Sequence, residues 1–192
     1  KKGINIMEIF PAFEIGWLNG WIFMLIFFLI FGIVIKTCPK EVITRLYDNK
    51  GWTRTQYIFT KLAKLCALIH LILVIFTPLN IGSIEFIIGI SIFLIGTIGF
   101  VIAVINFKKA PLDKPITSGL YKISRNPQIM TLLLVSFGTS LMIGSWIAII
   151  IIIVSAIFLH FRILGEEKRL TQQYGDAFLE YKKKVPRYFI FF

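Results

Sequence analysis

From Ile129 to Phe161 a run of 33 residues carries no charge. As a single helix it would reach about 50 Å, too long for one crossing of a hydrocarbon core of roughly 30 Å even when tilted. Gly144 and Ser145 stand at its midpoint, so the run reads as two short antiparallel helices, about 129 to 143 and 146 to 164, joined by a tight turn. Residues 17 to 35 are also uncharged and reach about 28 Å, one span. Two further spans fit about 62 to 79 and 84 to 105, separated by the turn residues Pro78, Asn80 and Gly82. With 57% hydrophobic residues and a mean hydropathy of +0.81, an integral membrane protein is expected. The expected fold is all-α: a bundle of five transmembrane helices whose fourth and fifth form a short hairpin, followed by a C-terminal cytosolic helix. At 192 residues the chain is expected to form one domain, 1–192, rather than a bundle plus a sizeable soluble domain.

The charges fit that count. Of 21 Lys and Arg, seven lie in 36–64, five in 106–128 and seven in 162–192, which leaves Lys1 and Lys2 for the other face. Such segregation is what the positive-inside rule asks of a five-span protein with its N-terminus outside and its C-terminus in the cytosol. Four or six spans would break it. The net charge of +11 is therefore mainly topological, with attraction to anionic lipid as a second use, and no nucleic-acid partner is expected. Cys38 and Cys66 belong to no disulfide framework or zinc spacing, and no metal site is expected. The basic start lacks a cleavage site of the secretory kind. Because the first residue is Lys rather than Met, a start further upstream is expected.

Small residues recur on two spans: Gly89, Gly96 and Ala103 at seven-residue spacing, and Ser136, Ser140 and Gly144 at four-residue spacing. Both read as packing stripes, although Gly96 and Gly99 also suit a cofactor contact. No GxGxxG follows a strand, so a dinucleotide-binding Rossmann unit is unsupported. His70 lies mid-span, where a helix-to-helix hydrogen bond is the first expectation. His160 ends the fifth span, as an interface residue or a general base.

Two polar clusters flank the apolar hairpin. The first, 106–128, carries Pro111, Pro115, Gly119 and Pro127, the restrictions of an ordered loop. It suits either a ligand-facing loop or a basic connector on lipid phosphates. In the second, Arg162 and Glu166 are four apart on a helix and can pair. Glu167 points about 100° away and is left for another partner. Two acids at the end of a transmembrane helix are costly unless matched by positive charge. A bound cation supplies it, or ordinary ion pairs to Lys168 and Arg169 do.

The ordered combination GLYKISRNPQ (119–128), an apolar hairpin, and RILGEEKRLTQQYGDAFLEYKKKVPRYF (162–189) resembles the integral membrane methyltransferases of the isoprenylcysteine carboxyl methyltransferase and phospholipid methyltransferase group. The similarity covers 106–189; the first two spans carry no readable motif. The resemblance implies S-adenosylmethionine as cofactor, bound at the cytosolic face. It implies that Tyr121, Arg125, Asn126, Pro127 and Gln128 form the loop edge of the cofactor pocket and that Glu166 and Glu167 engage the cofactor. Arg162 and Asn126 stand as the residues nearest the chemistry, with Tyr174, Gly175, Tyr181, Val185, Pro186 and Arg187 helping to close the site. Asn126 stands where the isoprenylcysteine branch carries His, which is nearer to the phospholipid branch.

Methyl transfer from a sulfonium needs a nucleophile held in line, with water excluded. The sulfonium loses its charge as the methyl leaves, so an anion beside sulfur would favour the ground state. The paired acids therefore belong at the cofactor's far end. The expected partners are membrane lipid and a hydrophobic or lipid-linked acceptor that enters between helices, its nucleophile a carboxylate, amine or thiol. The sequence sets no oligomeric state. An NADPH-dependent membrane reductase of the sterol-reductase kind shares the YG and VP elements of the tail, but adjacent acids suit an anionic cofactor poorly. A non-enzymatic membrane scaffold would need none of the polar spacing.

Overall fold

The computed structural model of the protein describes residues 7–49 and 51–189. The expected positions of Lys1 and Lys2 fall outside them. Seven α-helices follow one another: α1 (Trp21–Lys36), α2 (Lys40–Leu46), α3 (Arg54–Phe76), α4 (Ile84–Lys109), α5 (Pro127–Met142), α6 (Trp146–Tyr174) and α7 (Asp176–Lys184). A 3₁₀ turn over Gly119–Lys122 interrupts the connection from α4 to α5. By length and apolar composition α3, α4 and α6 can each cross a bilayer, and α1 and α5 are shorter apolar helices of 16 residues.

The helix ends show why these bounds differ from the hydropathy runs. Residues 17–20 are not helical. Asn19 is buried there and its side-chain amide donates to Glu14 O at 2.8 Å and Ile75 O at 3.1 Å, which ties the approach to α1 onto the end of α3. Helix α3 begins eight residues before its apolar run because Thr53 and Gln56 form a reciprocal capping box. It stops at Phe76, since Thr77 is extended ahead of Pro78. Ser83 and Ser145 cap α4 and α6 by accepting from Phe86 N and Ala148 N. Helix α6 does not end with its apolar part; it continues through the charged segment to Tyr174 and breaks at Gly175, where φ is +54°.

The predicted turn at Gly144 and Ser145 is present, with Gly144 at φ +62°. The helices it joins splay apart, however. The most extensive contacts are α4 with α5 and α3 with α6, and α5 touches α6 only lightly. Glycines explain the first pairing: a Cβ on Gly96 would lie 2.8 Å from Val135 N, and one on Gly138 would lie 2.6 Å from Phe93 N. Gly89, Gly96 and Ala103 thus form the expected packing stripe, and Gly96 and Gly99 face α5. The stripe expected on α5 differs, because Thr131, Val135, Gly138 and Met142 meet α4. Ser140 instead turns to α3, where its hydroxyl lies 3.0 Å from His70 Nε2, the helix-to-helix bond expected of that histidine. Stacked Phe59 and Phe161, 4.7 Å apart, join α3 to α6 near their other end.

Aromatic contacts of Phe23 with Phe93 and Phe27 with Phe100 seat α1 against α4. The space enclosed by α1, α3, α5 and the splayed α6 is left partly unfilled. Helix directions gather the described basic residues of 36–64, 106–128 and 162–189 at one end of the bundle, where α2, the 3₁₀ turn and α7 also lie.

Candidate functional site

At this basic end the C-terminal tail closes over the 119–126 loop. Arg125 N donates to Pro186 O at 2.9 Å, Ser124 Oγ to Arg187 O at 3.0 Å, and Asn126 Nδ2 to the same carbonyl at 3.2 Å. Tyr181 on α7 donates to Tyr121 O at 2.7 Å. Burial raises the pKa of both phenols, so each keeps its proton. The loop's entry requires Gly119: φ is +59°, and a Cβ would fall 1.9 Å from Asn106 Oδ1, the atom that accepts from Leu120 N.

Glu167 sits at the centre of this closure. Its Oε1 accepts from Arg125 Nε at 2.9 Å and its Oε2 from Arg187 Nη2 at 2.9 Å, with its side chain only 6% exposed. The hydrogen bond to Glu167 holds the Arg187 pKa above its already high usual value. Arg125 Nη1 also donates to Lys182 O and Val185 O. Glu167, left for another partner by the helix geometry, finds two: arginines of the fold engage both its oxygens. Its carboxylate carries the loop and tail as one unit, and removing one member of so buried a group typically costs 3–5 kcal/mol, about the stability of a small domain.

Glu166 pairs with Arg162 at 3.6 Å, as expected, and its side chain remains 30% exposed. Both border a cavity of about 820 Å³ that also takes in Tyr121, Arg125, Asn126, Gln128 and Glu167. Of the residues predicted for the site, Pro127 stands apart: it opens α5 at its first position and is buried away from the cavity wall. His160 also lies off the cavity, its Nδ1 2.7 Å from the Tyr188 hydroxyl.

The opposite wall comes from a part of the chain in which no motif was legible. Helix α2, the 47–53 loop and the first turns of α3 supply Arg45, Asp48, Trp52, Tyr57, Thr60 and Lys64. Arg45 ties this wall down, donating to Pro111 O at 2.7 Å and Lys114 O at 3.0 Å while stacking 5.3 Å above Phe107. Arg169 reaches Asp48 at 3.4 Å, and the Arg162 guanidinium lies 5.2 Å from the Trp52 ring centre. The basic run 36–64 was the available signal, but topology accounted for it.

Five buried side-chain atoms on this cavity's wall have no hydrogen-bond partner among the described residues: Trp52 Nε1, Thr60 Oγ1, Gln128 Nε2, Arg162 Nε and Arg169 Nε. All five can donate, and each group left unmatched costs about 1–3 kcal/mol. A cavity with this wall suits a ligand rich in acceptor oxygens and nitrogens, with Glu166 available for a positive group.

A second cavity of about 390 Å³ lies deeper in the bundle among α1, α3, α5 and α6, lined mainly by apolar side chains such as Phe27, Leu71, Leu133 and Ile152. Thr60, Lys64, Ile129, Leu132 and Arg162 border both cavities. They form a neck where a polar chamber meets an apolar one.

Comparison with known proteins fits this geometry. A family model described as phospholipid methyltransferase matches residues 62–177, 116 of the 192 residues. The match starts within α3, well before the motifs, and ends ahead of the VPR tail. The chain is also 31% identical over 72 residues to protein-S-isoprenylcysteine O-methyltransferase of Schizosaccharomyces pombe. That stretch covers 37% of this chain and 30% of the relative, so the chain matches under a third of that protein's length. No solved structure matches the chain.

Proposed function

The chain belongs to the phospholipid methyltransferase family, a family of membrane methyltransferases, and on that footing we propose that it transfers a methyl group from S-adenosylmethionine to a lipidic or hydrophobic small acceptor. The observation that carries this reading is the neck. A polar cavity at the basic end and an apolar cavity at bilayer depth share five wall residues, so a charged donor and a membrane-borne acceptor can meet without either crossing the other's medium.

The larger cavity fits such a donor by its chemistry. Its volume lies in the range of small-molecule sites. Unmatched donors on Gln128 and Arg169 suit ring nitrogens, hydroxyls and a carboxylate, and Glu166 suits an ammonium or ribose hydroxyls. When bound, S-adenosylmethionine supplies an activated sulfonium methyl. Glu166 binds at the end remote from that methyl, because an anion next to sulfur would stabilise the ground state. Arg162 neutralises Glu166 and orients an anionic acceptor. Asn126 and Tyr121 form the loop edge, and Glu167 holds Arg125 and the tail in place so that this edge stays closed against water.

In this reading α1, α3, α4, α5 and α6 each cross the bilayer. The basic end faces the cytosol under the positive-inside rule, and the N-terminus lies outside. The test is incubation of the purified, reconstituted protein with radiolabelled S-adenosylmethionine and native lipid and metabolite extracts. Label should pass to an amphiphilic product, and S-adenosylmethionine should raise the melting temperature. Stabilisation by NADPH alone, with no labelled product, contradicts the proposal.

A further inference from the structure

The neck carries more cationic and donor character than a general hydrophobic acceptor needs. Lys64 stands at the mouth of the apolar run of α3, two residues after that run begins at 62. It is exposed, borders both cavities and has no ion-pair partner among the described residues. From there its amine reaches either water or an anion held where the two cavities meet. Around it are Arg162, whose Nε is unmatched, Thr60, whose Oγ1 is unmatched, and Trp52, which stacks on the Arg162 guanidinium and leaves its own Nε1 unmatched. Every one of these groups can donate a hydrogen bond. Trp52 and Thr60 precede residue 62, where the family match begins.

We propose that Lys64, Arg162, Trp52 and Thr60 form an anion subsite at the neck, and that the acceptor is an acidic amphiphile whose oxyanion head is held there while its tail fills the 390 Å³ apolar cavity. The proposal rests on the methyltransferase reading and narrows its substrate class. Two cations with two further donors reward a carboxylate or phosphate head and repel an ammonium. Glu166, the acid next to Arg162, already pairs with it. Turned toward the cavity their side chains border, these donors gain from an oxyanion the partner they lack.

The test is equilibrium binding to the protein in phosphatidylcholine nanodiscs, with empty nanodiscs subtracted. The probes are radiolabelled dodecanoate, dodecyl phosphate and dodecyltrimethylammonium, and S-adenosylmethionine is titrated in parallel. Saturable binding of dodecanoate or dodecyl phosphate is expected, the tighter of the two identifying the head. Lys64→Gln and Trp52→Phe should each weaken it about ten-fold, with helical circular dichroism and the melting temperature unchanged as evidence that both variants fold. Equal binding of the cationic amphiphile, or anion binding unmoved in both variants, overturns the subsite. If S-adenosylmethionine binds and neither anion does, the subsite is wrong and the methyltransferase reading stands. If an anion binds and S-adenosylmethionine does not, the reading fails and the subsite survives.

Discussion

Adjacent Glu166 and Glu167 do different work because one helical step turns a side chain by about 100°. Glu167 points into the closure and meets Arg125 and Arg187, whereas Glu166 points to the cavity. Replacing Glu167 with Gln leaves two arginines without their shared anion. The expected loss is about 3–5 kcal/mol, read as a lower midpoint in thermal or denaturant unfolding in detergent. Glu166→Gln breaks a half-exposed pair worth about 0–1 kcal/mol, so its unfolding midpoint should stay close to the parent's. Equal destabilisation by the two substitutions would contradict this division. The EE motif was legible in the sequence, and so was the Arg162–Glu166 pair, because four-residue spacing fixes it locally. Which acid faces inward was not, since Arg125 and Arg187 come from 42 and 20 residues away and their approach is set by the tail.

At the scale of elements, backbone contact between α4 and α5 fixes the frame on which the 119–126 loop hangs. A Cβ on Gly138 would press on Phe93 N at 2.6 Å and Gly89 O at 2.7 Å, both backbone atoms that cannot rotate aside. Gly138→Ala should therefore cost about 1–3 kcal/mol. Gly32→Ala on α1, where a Cβ meets nothing within 4 Å, should be neutral or stabilising by up to about 1 kcal/mol. Comparison of the two melting temperatures checks the pairing. Seven-residue spacing on α4 revealed one side of this contact. The other side, Thr131, Val135, Gly138 and Met142, mixes small and large residues and leaves no stripe to read. The splay of α5 from α6 was hidden for a related reason: a tight turn fixes only the ends of two helices, and their partners elsewhere in the bundle decide the angle between them.

For the molecule as a whole, charge placement and run lengths were sufficient to gather the polar clusters at one end, because the bilayer penalises any other arrangement. They could not reveal that the 37–53 segment and the first turns of α3 complete the cavity, since Trp52 and Thr60 acquire meaning only beside Arg162. In the proposed function S-adenosylmethionine occupies the cavity between this segment and the loop–tail closure. Direct ultraviolet photolabelling with radiolabelled S-adenosylmethionine, followed by peptide mapping, tests it most closely. Label is expected within 41–64, 119–128 or 162–181, displaced by S-adenosylhomocysteine. Label confined to other segments, or label that S-adenosylhomocysteine does not displace, would contradict it.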